Sequence, residues 1–485
     1  MTFKSLIEKY KSMSLQVKAA MWFFICSVIQ RGIAFITTPI FTRLMSTSDY
    51  GQYNVFTSWM SMLTVIVTLN LTAGVYIQGL VKFEKDRNRF TSSLMGLLTC
   101  LSLGWLVIYL LLQKWINPLI SLSTDKMLLM FCLMWTTSIF GFWSIDKRVD
   151  FDYKPIVIVS LLFAVANPTI SILFIVNSED KAMARIIGMA LTELVLFGWM
   201  FVKLMHKGKK WFSAQYWPYV VKFNLSLIPH YLASSVLSSS DRIMIERIVG
   251  ESEAGIYSLA YSVSMIMTMV SSALTQTIEP WIYKKIRDKQ EKTIEAIAYP
   301  SLIIVAVANI ILIALAPEII RIFAPAEYYD AIWVIPPVSM STFFMFAYSF
   351  FAAFEFYYEK TKLISIATFI GSALNIALNF VCIKIFGYVA AGYTTLVCYM
   401  AYTFAHYAFM RTILRENHVS EKIYNLKVLI MIMSVFVIIG FLFTMTYTIW
   451  QLRYLLAASI MIICSLKRDL IKKFIRQLLS IRAAK

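Results

Sequence analysis

Residues 43–53 read Arg-Leu-Met-Ser-Thr-Ser-Asp-Tyr-Gly-Gln-Tyr, and residues 247–257 read Arg-Ile-Val-Gly-Glu-Ser-Glu-Ala-Gly-Ile-Tyr. The two stretches share an Arg, a Ser, an acidic residue, a Gly and a Tyr at the same spacing, displaced by 204 residues. Each lies at the end of an apolar run. Each is followed by a second apolar run and then by a basic loop: Lys82, Lys85, Arg87 and Arg89 in one, Lys284, Lys285, Arg287, Lys289 and Lys292 in the other. Six apolar runs separate the copies. A duplication with this period implies two six-helix halves in the same orientation, a parallel repeat whose axis runs along the membrane normal.

The surroundings of the repeat are those of a membrane protein. Of 485 residues, 59% are apolar and only 15% charged, with a mean hydropathy of +0.70. A soluble domain carries about a quarter charged residues and could not cover so much apolar surface. A helix needs about 20 apolar residues to cross the hydrocarbon. The chain offers fourteen such segments: 19–41, 53–79, 91–113, 127–145, 155–176, 185–205, 223–246, 256–282, 294–316, 331–354, 363–385, 388–410, 427–449 and 451–466. The expected fold is an all-α integral membrane protein of about fourteen transmembrane helices, two six-helix lobes plus two C-terminal helices.

Charge placement orients it. The net charge is +18. With both termini inside, the inner segments hold 34 of the 45 Lys and Arg, the outer segments nine, and two (Arg31 and Arg242) lie within spans. The positive-inside rule accounts for this asymmetry, so the basic balance needs no nucleic acid. The expected organisation is a cytoplasmic amphipathic N-terminus over 1–18, a first lobe over 19–210, a second over 211–425, two further spans over 426–466 and a basic cytoplasmic tail over 467–485. The N-terminus carries Phe3, Leu6, Ile7 and Tyr10 at helical spacing among lysines, with no cleavage motif. The tail repeats the design with Leu470, Ile471, Phe474, Leu478 and Ile481 against Lys467, Lys472, Lys473 and Arg476. Both suit the inner surface near anionic lipid.

A charge at the bilayer centre costs about 2.5–3.5 kcal/mol on insertion scales and should face water or a bundle interior. Arg31 lies mid-span on a stripe of Ser27, Gln30, Ala34, Thr38 and Thr42; Asp241 and Arg242 extend a stripe of Ser234, Ser235, Ser238 and Ser239 above His230. Since the first and seventh spans are repeat equivalents, these stripes should face one another across a wet cavity between the lobes. Guanidinium groups suit a phosphate or pyrophosphate headgroup. A plain Asp241–Arg242 ion pair is the competing reading. Glu193, at the centre of the sixth span, either hydrogen-bonds a neighbouring helix or carries a coupling proton. Among intra-span prolines, the tandem Pro336-Pro337 is the hinge candidate.

Other chemistry finds no support. The six cysteines lie in apolar runs without a CxxC pair, the four histidines have no metal-ligand spacing, and no P-loop or nucleophile elbow occurs. The longest outer segments run about 13–14 residues, small for a membrane polymerase or sugar ligase. A metal site and an enzyme activity are not expected.

The stretch Arg31-Gly-Ile-Ala-Phe-Ile-Thr-Thr-Pro39 with Arg43-Leu44 and Asp49-Tyr50-Gly51-Gln52-Tyr53 resembles the opening of polysaccharide-biosynthesis proteins of the Wzx type; Ser240 to Ile245 and Ala254-Gly255-Ile256-Tyr257 resemble their seventh-helix signature. That family belongs to the multidrug/oligosaccharidyl-lipid/polysaccharide exporter superfamily. The resemblance implies a non-enzymatic flippase in the bacterial inner membrane. It would move an undecaprenyl-pyrophosphate-linked oligosaccharide, an O-antigen or similar surface unit, by alternating access and without a resident cofactor, coupled to H+ or Na+. A polysaccharide polymerase and a chain-length regulator would be its partners. Arg31, Arg242, Asp241 and Gln30 would line the headgroup path. The alternatives are a multidrug or cation antiporter of the same superfamily, a lipid II flippase, and a polytopic polymerase.

Overall fold

The computed structural model describes residue 10, residues 12–419 and residues 423–483, and these fold into α-helices and short 3-10 turns. In chain order the α-helices are α1 Leu15–Leu44, α2 Thr47–Val67, α3 Val75–Lys82, α4 Arg87–Ile120, α5 Thr124–Val149, α6 Tyr153–Val176, α7 Lys181–Gly208, α8 Tyr216–Ile248, α9 Glu251–Ser264 and α10 Ile266–Arg287. They continue as α11 Glu295–Ala314, α12 Ala316–Phe323, α13 Ile335–Tyr357, α14 Thr361–Phe386, α15 Ala390–Glu416, α16 Leu426–Met445, α17 Trp450–Leu466 and α18 Arg468–Ala483. Each of the fourteen expected spans coincides with one helix or with two consecutive ones. Among the described residues ten helical stretches are long and apolar enough to cross a membrane. The other four expected spans are α2 with α3, α8 and α15, and α17, which is short. The chain is a multi-pass membrane protein.

Two compact units, Met1–Ser235 and Val236–Lys485, divide it. The boundary expected at 210/211 falls in the loop before α8; the division runs through α8 itself. Within each unit the same helix pairs pack together. The first unit joins α5 to α7, α6 to α7 and α4 to α5, while the second joins α13 to α15, α14 to α15 and α11 to α13. That is the pairing a duplicated half requires.

Small residues set the closest approaches. A Cβ on Gly188 of α7 would stand 2.6 Å from the Ser171 Cα of α6. One on Gly392 of α15 would stand 2.9 Å from the Pro337 side chain of α13. Aromatic side chains fill the remaining space. Tyr76, Phe90 and Phe142 are fully buried in the first unit, and Phe343, Phe344, Phe346, Phe351 and Phe354 of α13 in the second.

The repeated motif starts a helix in both copies. In the first, Ser46 caps α2: its Oγ accepts from Asp49 N–H at 3.1 Å, and the Asp49 carboxylate accepts from the Ser46 N–H at 3.1 Å. In the second, Gly250 precedes α9 with a φ of 156° and no side-chain cap. Such a reciprocal box satisfies two of the N–H groups that a helix start leaves unpaired.

The expected second span is broken. Between α2 and α3, Leu69 and Asn70 take φ of 49° and 48°, and Gly74 takes 61°. The freed carbonyls of Leu69 and Asn70 accept from the Asn224 Nδ2 of α8, at 3.0 and 3.3 Å. Backbone that leaves the helix at membrane depth needs such partners.

One expectation is corrected. Pro336 and Pro337 do not bend a helix; they occupy the first turn of α13, after a 3-10 segment over Ala326–Trp333. A first-turn residue has no intrahelical acceptor for its N–H, so proline fits there and starts the helix.

The last two spans pack on the second unit. α16 lies against α11 and α13, Tyr447 O–H donates to the Ile313 carbonyl at 2.7 Å, and Arg453 of α17 pairs with Glu318 of α12. The basic tail is helical. α18 packs on α10, with Phe474 buried and Lys472, Lys473 and Arg476 exposed. The N-terminal residues Phe3, Leu6 and Ile7 and the side chains of Ile471 and Ile481 lie outside the described ones.

Candidate functional site

Two polar sites lie inside the first unit. Along α1, Ala19, Trp22, Phe23 and Cys26 recur every three to four residues and pack on Tyr153, Val157 and Leu161 of α6. Gln30 continues that packed edge, its Nε2 donating to the Ser160 carbonyl at 3.2 Å. Arg31 follows about 100° further round the helix. With Ser27 and Ala34 it is exposed, and among the described residues it has no hydrogen bond or ion pair. The polar neighbours are occupied with their own backbone: the Ser27 hydroxyl donates to the Phe23 carbonyl at 2.9 Å and the Thr38 hydroxyl to the Ala34 carbonyl at 2.8 Å. The expected stripe therefore separates into a packed edge with Gln30 and an open edge with an unneutralised guanidinium.

Glu193 is the second site. It is 3% exposed, midway along α7. Its Oε2 accepts from the hydroxyls of Thr136 at 2.7 Å and Thr137 at 2.9 Å, both on α5. Neighbouring threonines on one helix converge on one carboxylate oxygen of the next. This is a tie between helices built around an ionisable group.

In the second unit Asp241 is 1% exposed and occupies the middle of a polar cluster. Its carboxylate accepts three bonds: Tyr257 O–H of α9 at 2.7 Å, Thr395 O–H of α15 at 2.9 Å and Asn379 Nδ2 of α14 at 2.6 Å. Asn379 also donates to Asn375 Oδ1 at 3.1 Å, and its own Oδ1 accepts from the Thr394 hydroxyl. Four helices thus meet on one acid. Carboxylate, amide and hydroxyl oxygens are the donors that hard cations take, and a proton on the acid would serve the same position. Among the described residues no group of three or more His, Cys, Asp or Glu could hold a metal.

Arg242 points elsewhere. Its guanidinium lies 4.2 Å from the ring centre of Tyr261 and donates to the Ser238 carbonyl at 3.1 Å. Adjacent in sequence, Asp241 and Arg242 serve different surroundings: a buried cluster and an aromatic face. Asp241 is hydrogen-bonded inside its own unit, not presented on an open stripe.

A reading confined to charged residues misses Tyr257, Asn375, Asn379, Thr394 and Thr395. The signal for them was present. Asn375 and Asn379 stand four apart on a helix, hence on one face, in an otherwise apolar segment, and Thr394-Thr395 opens the next.

The family model for polysaccharide biosynthesis proteins matches residues 17–286, and that for the MatE family matches residues 227–381. An uncharacterized membrane protein of Haemophilus influenzae is 20% identical over 369 residues, 74% of this chain and 88% of that protein. The structure of a lipid II flippase MurJ, in an inward closed conformation, superposes with a TM-score of 0.71 at 14% identity, covering 93% of this chain and 99% of that one. An inward-facing multidrug resistance transporter of the MATE family aligns with a TM-score of 0.63 at 11% identity, covering 80% of this chain and 96% of that one. The fold is thus the one these flippase and transporter structures share. With more than half of its length matched, the chain belongs to the polysaccharide biosynthesis protein family.

Proposed function

We propose that the protein is a flippase that carries an undecaprenyl-pyrophosphate-linked oligosaccharide from the inner to the outer leaflet of a bacterial inner membrane, with both termini cytoplasmic. The observation that carries this reading is Arg31, an exposed cation near the middle of a 30-residue helix, with no counter-charge among the described residues. Hydrocarbon would not tolerate it there, so the face of α1 that bears it is wet. A permanent guanidinium on a wet face binds phosphate in a fixed, bidentate geometry. A sugar-diphosphate head cannot cross lipid unaided, because an unpaired charge costs many kcal/mol to bury. Arg31 gives it a partner at mid-depth while the isoprenoid tail stays in the bilayer.

Movement against a concentration difference needs a coupled ion. We place it at Asp241, whose cluster of amide and hydroxyl groups suits H+ or Na+. Glu193, tied by two threonines, is another ionisable group at depth and serves mainly to join α5 to α7.

Deleting the gene and complementing it with variants tests the proposal. The deletion is expected to lose its surface polysaccharide and to accumulate single lipid-linked units. Arg31→Ala, with normal membrane insertion, should reproduce that phenotype, and Arg31→Lys should restore part of the polymer. Full-length polymer from inserted Arg31→Ala would refute the role given to Arg31.

A further inference from the structure

A second cationic site lies away from Arg31. At one end of the first unit, the turn before α4 and the end of α7 enclose a cavity of about 750 Å³. Lys85, Arg89, Lys207, Lys209 and Lys210 line it, against the single acid Asp86. The cavity is built, not incidental. A Cβ on Gly208 would stand 2.1 Å from both the Asn88 carbonyl oxygen and the Ser92 Oγ, so only glycine lets the end of α7 seat on α4. Lys209 then leaves the helix with a φ of 51°, and the Lys210 N–H donates to Ser92 Oγ at 3.2 Å. One turn further along α4, a Cβ on Gly96 would stand 2.2 Å from the Trp211 carbonyl oxygen. The Trp217 indole N–H donates to the carbonyl and hydroxyl of Ser93, both at 3.0 Å. Two basic segments more than 100 residues apart are therefore held face to face.

Their charges are left uncompensated. Four basic groups in the loops expected on this side have close acids: Arg87 with Asp146 and Asp150, Lys147 with Asp152, Arg287 with Asp288, Lys360 with Glu416, all within 2.6–2.9 Å. In the cavity Lys85, Lys207, Lys209 and Lys210 have no ion pair among the described residues, and Arg89 reaches Asp86 only at 3.9 Å. The first turn of α4 opens on the same space, and Asp86 makes no capping bond to it. Loop lysines placed only for topology would have no reason to converge on one fixed hollow.

We infer that this cavity is a binding site for a phosphate-bearing headgroup, either the diphosphate of a polyprenyl-linked molecule or the phosphate of an anionic lipid at the inner surface. It does not depend on the cargo assigned above. The test uses the full chain in nanodiscs and measures acetylation of individual lysines by mass spectrometry. Inorganic pyrophosphate added to phosphatidylcholine nanodiscs should protect Lys207, Lys209 and Lys210 and leave Lys472 and Lys473 unchanged; this result assigns the site to diphosphate. Protection in phosphatidylglycerol nanodiscs without pyrophosphate assigns it to the lipid headgroup. At about five-fold per lysine near an anionic surface, the triple change K207Q, K209Q and K210Q should weaken binding of the protecting probe about 100-fold. The corresponding Lys→Arg variant should bind as the natural chain does. Equal acetylation of all five lysines under every condition overturns the inference, whatever the outcome of the polysaccharide assay.

Discussion

Removing the Asp241 carboxylate tests the cluster in the second unit most directly. In Asp241→Ala the Tyr257 hydroxyl, the Thr395 hydroxyl and the Asn379 amide, which donate to it at 2.7, 2.9 and 2.6 Å, all lose their acceptor. Each buried group left unpaired costs about 1–3 kcal/mol, and the variant no longer buries the carboxylate, so the net loss is roughly 3–6 kcal/mol. Asp241→Asn keeps the shape and one acceptor oxygen, and should lose about 1–3 kcal/mol. Tyr257→Phe, which removes one of the three donors, should lose about 0.5–3 kcal/mol. In the double variant Asp241→Ala/Tyr257→Phe the losses should be less than additive, because the orphaned hydroxyl is gone. Thermal unfolding of the purified protein in detergent, followed by tryptophan fluorescence, gives the order of the variants. The same assay run in sodium and in choline chloride reads the cation. A site saturated 100-fold over its Kd adds about 2.7 kcal/mol, and Asp241→Asn should abolish the sodium increment. An Asp241→Ala protein as stable as the parent would show that the three donors find other partners and that the cluster is not organised around this acid.

Three further outcomes follow from the packing. Glu193→Gln should stay inserted and lose no more than about 2 kcal/mol, since one oxygen still accepts from Thr136 and Thr137; a collapse in expression would give the charge itself a structural role. Gly188→Val should destabilise by roughly 1–3 kcal/mol or more, because the Cβ position is already 2.6 Å from the Ser171 backbone, and its protease sensitivity should rise while that of Gly104→Ala, which meets nothing within 4 Å, stays put. Impermeant thiol labelling of Lys209→Cys and Lys384→Cys in intact cells, in a background lacking the native cysteines, should modify only the second. Labelling of both, or only of the first, contradicts the orientation derived from the Lys and Arg count.

Much of the architecture was legible because membrane insertion is written locally. Runs of about 20 apolar residues bounded by basic loops mark spans one at a time, and each of the fourteen segments met a helix. The duplication was legible for a similar reason: Arg, Ser, acid, Gly and Tyr recur at one spacing where each copy starts a helix, although Ser46 caps the first and the uncapped Gly250 precedes the second. What the chain did not disclose are choices made between distant segments. Nothing near Asp241 indicates that Asn379, 138 residues on, will donate to it. Arg242, its neighbour, offered an equally plausible partner and turned instead to Tyr261. Gln30 and Arg31 likewise shared one polar stripe in sequence, yet the path of α6 along α1 engages the first and leaves the second open. The tandem prolines were misplaced because the apolar run already begins at Ala331, in the last turn of the 3-10 segment, and passes without a break into α13.

The interruption between α2 and α3 has a mechanical meaning. The Asn224 amide clasps the Leu69 and Asn70 carbonyls together, so the gap carries hydrogen bonds of its own. α3 is then a short segment fastened to the first half of α8 at both ends, by Asn224 at the break before it and by aromatic rings beyond it. Its far end runs into Phe83, whose ring packs tilted against Tyr216 and edge-on against Tyr219 of the same helix. That part of α8 is thereby coupled to α3, to the basic turn behind it and, through Trp217 and Ser93, to α4, so one wall of the lysine-lined hollow answers to the position of α8.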